Sequence, residues 1–403
     1  MQTPHHRARL RLPSDLPRGF SAATSKVGIR KGEGDDLALI VSDQPCPAAA
    51  VFTKNRFAAS PIRLSRRHLH ATGGIARAIL INAGCANAAT GERGDRDAAS
   101  SAACLASELG CTTEEVLVNS TGVIGRHLPI DAIHAGIPEL VARASSAEIE
   151  AVARAIMTTD SAPKAVERTI ASQDGGEIRI VGIAKGSGMI HPNMATMIGV
   201  VLTDARLSPD RLDQMLRRSI EKSFNRISVD GDTSTNDSVF TMASGTAGEA
   251  ADQALLEAAF DEVCVALARM IVADGEGASR VLEVKVINAA SQVDAREVAE
   301  TIGSSLLVRT AVAGGDPNWG RIIAALGRTE ATFEPDRIRV EANLVPLFAG
   351  GSPVEDPTQS AAKAFASERV LIEIDLASGT ATETYLTCDL TAEYVRINAE
   401  YTT

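Results

Sequence analysis

The 403 residues are 45% hydrophobic but only 3% aromatic, so a sizeable core, enough for two or three domains, must be built from Ala, Val, Ile and Leu. A formal net charge of −11 with no Lys/Arg-rich run excludes the basic face that nucleic acid requires; Arg63, Arg66 and Arg67, the densest cluster, read as a solvated face. No apolar stretch approaches the roughly 18 residues of a membrane span.

Met1 to Pro17 carries Arg7, Arg9 and Arg11 without an apolar h-region, and reads as a variable N-terminal segment rather than a secretory signal. Val- and Ile-rich runs bounded by Gly, Pro, Asn or Asp predict strands at 37–42, 49–53 and 78–82. Asp97 to Leu109 predicts a helix stopped by Gly110, and a second helix covers 147–157. Strands follow at 178–184 and 197–202. Ser208 is a good N-cap, with Pro209 in the first turn and Leu212, Met215, Leu216 and Ile220 on one face. Leu255, Leu256, Ala259, Val263, Leu267 and Ile271 place another helix, ending near Asp274-Gly275. Strands at 281–287 and 370–376 come last, and the Thr-rich alternation running on to Leu386 reads as a hairpin with the latter. Such alternation implies an α/β (or α+β) enzyme with helix-covered mixed β-sheets. Six scattered cysteines without CxxC spacing fit reduced thiols in a cytoplasm better than a disulfide framework or zinc site.

The run from Lys185 to Met197 is the most informative stretch. A crowded glycine-bearing turn, Gly186-Ser-Gly188, leads to Ala195-Thr196 and then an apolar run. Thr196 reads in two ways: as a strand's first residue, or as a nucleophile exposed when the chain cuts itself after Ala195. In the second case its own α-amine is the base, and about a sixth or less of such an amine is neutral at pH 7. Other motifs fail on inspection. Asp230 opens a stretch like a calcium loop, but Thr235 replaces the required Gly and Thr241 the required Glu. Gly186-Ser-Gly188 has His191 where a dinucleotide fingerprint needs its third glycine. Cys85 reads as a buried inert thiol, and His191, five residues before Thr196, as positional.

Seven stretches carry a family resemblance: Lys185 to Met197, Asn119-Ser-Thr-Gly-Val-Ile-Gly125, Met157-Thr-Thr-Asp160, Ser228 to Asp237, Asp274-Gly-Glu-Gly277, Gly315 to Arg321, and Tyr394 to Thr403. In that content and order, over roughly residues 18 to 403, the chain resembles the ornithine acetyltransferase family, the glutamate N-acetyltransferases of the cyclic arginine pathway.

The resemblance implies an autoprocessed, N-terminal-nucleophile-type enzyme. Residues 18–195 would form an alpha chain and 196–403 a beta chain, parted between Ala195 and Thr196 and interlocked, with two of each chain in the assembly. It implies Thr196 as nucleophile, Thr121 and Gly122 as oxyanion hole, and Thr159, Lys185, Thr196, Glu276, Asn398 and Thr403 as substrate contacts. Lys185 would suit an α-carboxylate and Glu276 an amine. The family usually has threonine where Ser161 stands, a change that keeps the hydroxyl. The implied reaction moves acetyl from N2-acetyl-L-ornithine to L-glutamate with no metal or bound cofactor. Some members also take acetyl-CoA, for which no nucleotide-cradling loop is evident here. Two alternatives remain at this point: an autoprocessed N-terminal-threonine amidohydrolase or aminopeptidase using water, and an uncut amino-acid-binding or regulatory protein.

Overall fold

The computed structural model describes residues 13, 15–146, 149–191, 197–354 and 358–400. Among these, the strands are β1 (Phe20–Ser25), β2 (Leu37–Phe52), β3 (Ile75–Cys85), β4 (Val116–Val123), β5 (Lys164–Ala171), β6 (Glu177–Lys185), β7 (Ile198–Thr203), β8 (Ile227–Ser228), β9 (Ser238–Ala243), β10 (Val281–Ala289), β11 (Arg339–Ala342), β12 (Val345–Ala349), β13 (Ser352–Pro353), β14 (Arg369–Asp375) and β15 (Ala381–Cys388). They form two mixed sheets. The first runs β4-β3-β2-β9-β7-β6-β5 with β1 beside β2, and the second β13-β12-β11-β14-β10-β15-β8.

The first sheet folds over on itself through β2. That strand is one element of 16 residues where the sequence suggests two strands. Its first part pairs with β3 and its last five residues with β9; the register slips between Val41 and Cys46. The slip falls where Pro45 and Pro47 remove ladder donors, as prolines do at bulges and edges. Alternation then builds the layers. Ala38, Ile40, Ile79, Ile81, Ile198, Val200 and Leu202 meet in an inner core between the two halves. Leu37, Leu39, Ala78 and Leu80 face outward onto Ala98, Ala102, Leu105, Ile133 and Ile137 of two covering helices. On the opposite outer face Ile178, Ile180 and Val201 meet Leu212, Met215, Leu216, Phe260, Val263 and Leu267. The result is helix, sheet, sheet, helix, with β7 buried along its whole length.

Helix boundaries follow local chemistry. Helix Pro209–Lys222 starts where Ser208 accepts a hydrogen bond from Arg211 N, and its buried face is Leu212, Met215, Leu216, Ser219 and Ile220. Helix Gly91–Leu109 begins six residues earlier than the pattern suggests and stops at Gly110, whose φ of 63° is the left-handed cap. Helix Ile149–Ala155 lies within the predicted 147–157. Asp252 caps helix Gln253–Ala273 through Ala254 N and Leu255 N. Leu255 itself is 49% exposed, outside the buried stripe that Leu256 begins.

The expected terminal hairpin does not form. β14 and β15 do not pair with each other; β10 lies between them, parallel to β14 and antiparallel to β15. The turn wraps over the end of β10 instead, Ser378 N and Gly379 N both donating to Asn288 O. Alternation marks a half-buried strand but does not select its partner. Burying Val284 and Val286 of β10, at 0% exposure, decides the order.

Candidate active site

The two halves of the first sheet bring the C-terminal ends of β3, β4 and β6 to one edge of the sandwich, beside the starts of β7 and β9. A cleft of about 770 Å³, including the space at its mouth, opens there. Its lining includes Thr121, Gly122, Thr159, Lys185, Glu276 and Asn398, six residues singled out in the sequence from five separate stretches. Ala195, Thr196 and Thr403 lie outside the described residues.

Thr121 and Gly122 close β4. Parallel pairing with β3 is regular from Ala78 to Gly84 and then becomes irregular at Cys85. Gly122 makes this possible. Its φ is 125°, and a Cβ there would stand 2.4 Å from the carbonyl carbon of Gly84 and 2.6 Å from Cys85 N. Behind this corner a buried amide network fixes the backbone. Asn236 Nδ2 donates to Ala86 O (2.7 Å) and Ser120 O (2.8 Å), and Ser120 Oγ donates to Asn82 Oδ1 (2.6 Å). Every one of these bonds is internal and buried, which makes the corner rigid. Cys85 is itself buried, its Sγ 3.3 Å from Arg126 O, and burial raises its thiol above the ordinary value.

Lys185 ends β6 with its side chain 4% exposed. Its Nζ donates to Thr158 Oγ1 at 2.6 Å and lies 3.5 Å from Thr121 Oγ1. Burial pulls its pKa down, and the carboxylate of Asp160 works against that fall. Asp160 is buried too, yet Lys185, Lys164 and the Gly186 amide overcome the desolvation and hold its carboxyl at about 2. Downstream, Thr159 Oγ1 and Ser187 Oγ are 2.7 Å apart, and Glu276 N donates to Ser187 O at 2.8 Å. The end of helix Gln253–Ala273 leads to Glu276 in the cleft, and helix Ala392–Glu400 delivers Tyr394 and Asn398. Asn398 Nδ2 donates to Glu276 Oε2 at 2.9 Å.

Asp237, just before β9, accepts from Met197 N (3.1 Å) through Oδ1, while Oδ2 is buried with no hydrogen-bond partner among the described residues. Burial raises its pKa well above the usual carboxylate range, despite the Met197 amide and Lys185. Asp230 also lines the cleft, but its carboxylate is turned to backbone: it accepts from Ile190 N (2.9 Å), Met189 N and Asp232 N. Burial still lifts it to about 6. His191 stands half-buried outside the lining, its Nδ1 3.3 Å from Ser228 Oγ. Ser161, through its N–H and hydroxyl, holds Asp274.

Sequence reasoning overlooked Thr158, Asp160, Lys164, Asn236 and Tyr394 as parts of the site. Asp160 and Asn236 lie in stretches that carry the family resemblance, so their position was marked but not their role. Lys164 has a local signal: a lysine four residues after Asp160, followed directly by Ala165 and Val166 at the buried start of a strand, needs a buried partner.

One buried ammonium, several carboxylates and a backbone corner fixed by buried hydrogen bonds thus meet in a small cleft. The family model "ArgJ family" matches residues 21–403, and the chain belongs to that family. It is 45% identical over 409 residues to the arginine biosynthesis bifunctional protein ArgJ of Thermosynechococcus vestitus, covering 96% of this chain and 97% of the relative. The Thermus thermophilus protein of the same name is 46% identical over 388 residues, covering 96% and 99%. Among solved structures, ArgJ of Bacillus halodurans is 38% identical with a TM-score of 0.49, covering 50% of this chain and 98% of that one. An ornithine acetyltransferase of Mycobacterium tuberculosis complexed with ornithine is 36% identical with a TM-score of 0.41, covering 46% and 98%.

Proposed function

We propose that this chain, an enzyme of arginine biosynthesis, cuts itself between Ala195 and Thr196 and then carries acetyl on Thr196 from N2-acetyl-L-ornithine to L-glutamate. Thr196 Oγ, deprotonated by its own amine, attacks the acetyl carbonyl. Thr121 and Gly122 hold the tetrahedral oxyanion, ornithine departs, and glutamate takes the acetyl group. Lys185 receives the substrate α-carboxylate, Glu276 with Asn398 the amine, and Thr159 and Thr403 complete the contacts. The convergence of Thr121, Gly122, Thr159, Lys185, Glu276 and Asn398 on one cleft carries this reading.

The donor is an amide, so the reaction as proposed uses no metal or bound cofactor, and acetyl-CoA is proposed as a second donor to the same threonine. The reading includes an assembly of two alpha and two beta chains in the cytoplasm; among the described residues no helix is long and apolar enough to cross a membrane. Intact-mass measurement under denaturing conditions, with N-terminal sequencing, tests the cut: the second fragment should begin Thr-Met-Ile-Gly. Acetylornithine with and without glutamate tests the acceptor. Turnover that ignores glutamate would replace the transferase with a hydrolase.

Gly188→Ala probes the amine end. A Cβ at 188 would stand 2.5 Å from Glu276 Cδ, so the flexible tip of Glu276 must swing away. The expected result is a KM for acetylornithine raised about 10-fold, from a lost charged hydrogen bond, with a melting temperature changed by less than about 2 °C. Paired kinetics and thermal melts check it.

A further inference from the structure

We propose that Asp160 is the positioning residue of Lys185, with Lys164 as the opposing charge that tunes it. The proposal rests on the reading of Lys185 as the carboxylate contact. Asp160 is fully buried and its two oxygens make four connections. Oδ1 accepts from Lys164 Nζ at 2.7 Å and from Gly186 N at 2.6 Å. Oδ2 accepts from Thr158 N at 3.0 Å and stands 3.9 Å from Lys185 Nζ. One carboxylate therefore grips the peptide that follows Lys185 and the residue whose hydroxyl receives the Lys185 ammonium. Main chain and head group of the lysine are both tied to it.

The charges around Lys185 come from several elements: Asp160 from the turn before β5, Lys164 from β5 itself, Asp237 from the segment before β9, and Glu276 beyond helix Gln253–Ala273. Lys164, 2% exposed, is shared between Asp160 and Asp274, the latter at 2.6 Å. Two buried ammonium groups thus face two principal carboxylates. Removing Asp160 leaves Lys164 with Asp274, and leaves Lys185 with only Asp237 and Glu276 against the burial and the Lys164 charge, so Lys185 must shed its proton more readily. Removing Lys164 does the reverse: repulsion disappears and Lys185 becomes the one ammonium group paired with Asp160 among the described residues.

The pH dependence of kcat/KM for acetylornithine, measured on the purified self-processed protein, separates this from simple loosening of the site. Asp160→Asn should raise KM about 10-fold or more, with a smaller fall in kcat, and move the alkaline limb of the profile down by at least about one pH unit. Lys164→Met should move the same limb upward. Lys185→Arg, whose charge does not titrate in this range, should lose the limb. If Asp160→Asn does not fold, the opposite-signed Lys164→Met shift and the Lys185→Arg profile still decide. Limbs that stay put in Asp160→Asn and Lys164→Met, or that shift in the same direction, would overturn the proposal. A Lys185→Met enzyme with unchanged KM would instead sink the underlying assignment of Lys185.

Discussion

A Thr196→Ala chain is expected to remain one 403-residue polypeptide and to lose acetyl transfer by at least about 10⁴-fold. Both losses have one origin. In the proposed mechanism the hydroxyl that attacks the Ala195 carbonyl in self-cleavage is the hydroxyl that later accepts acetyl, and without the cut there is no free amine to act as base. Thr196→Ser separates the two requirements from bulk. It keeps hydroxyl and amine and drops a methyl, so it should still be cut, with transfer retained at a reduced rate. The fold should tolerate both changes, because β7 is anchored independently: Asp237 binds Met197 N, Ser238 N donates to Met197 O, and Ile198–Thr203 pairs with strands on both sides. Denaturing mass spectrometry, a thermal melt and the acetylornithine assay together check the prediction. An uncut Thr196→Ala chain with normal melting and full activity would remove the N-terminal nucleophile from the mechanism. Activity lost together with cooperative melting would point to misfolding instead.

Local chemistry was legible in the sequence wherever one residue decides the outcome. Gly110 stops its helix because only a left-handed cap closes it there, and Ser208 starts another because its hydroxyl meets Arg211 N. The site was legible as separate pieces, since Thr121, Thr159, Lys185, Glu276 and Asn398 each stood in a stretch with family resemblance. Their meeting could not be read, because it depends on the fold of β2 over itself and on which strands share an edge. The same gap explains the hairpin expected of β14 and β15. A strand's alternation records that one face is buried, not which neighbour supplies the ladder, and β10 from 80 residues earlier takes the place between them. Asp160 and Lys164 were missed for a related reason. At i and i+4 around a turn they look like an exposed ion pair, and only burial beneath the cleft gives them a second cation, Lys185, to control.

Gly122→Ala should lower transfer by more than about 10²-fold and also weaken the fold by about 1–3 kcal/mol, whereas Thr121→Val should cost transfer about 10² to 10³-fold with little loss of stability. The contrast follows from what each change meets. At 122 the new methyl would press on Gly84 C and Cys85 N, backbone atoms of the neighbouring strand that cannot rotate away, and φ of 125° is strained for any L side chain. Relief must come from parting β3 and β4 at their ends, which tilts the donors proposed to hold the oxyanion. At 121 valine replaces hydroxyl by methyl at nearly constant volume. Among the described residues that hydroxyl accepts one hydrogen bond, the long 3.5 Å contact from Lys185, which already has Thr158 Oγ1 at 2.6 Å. Little folding energy depends on it, so a large fall in rate would locate its role in the transition state. The KM for acetylornithine should therefore change less than about 3-fold in Thr121→Val while kcat falls. An unchanged kcat would leave the backbone amides as the oxyanion donors and retire the threonine hydroxyl from that part. A KM that rises as kcat holds would make Thr121 a ground-state contact, and the oxyanion would then have to be held from elsewhere in the cleft.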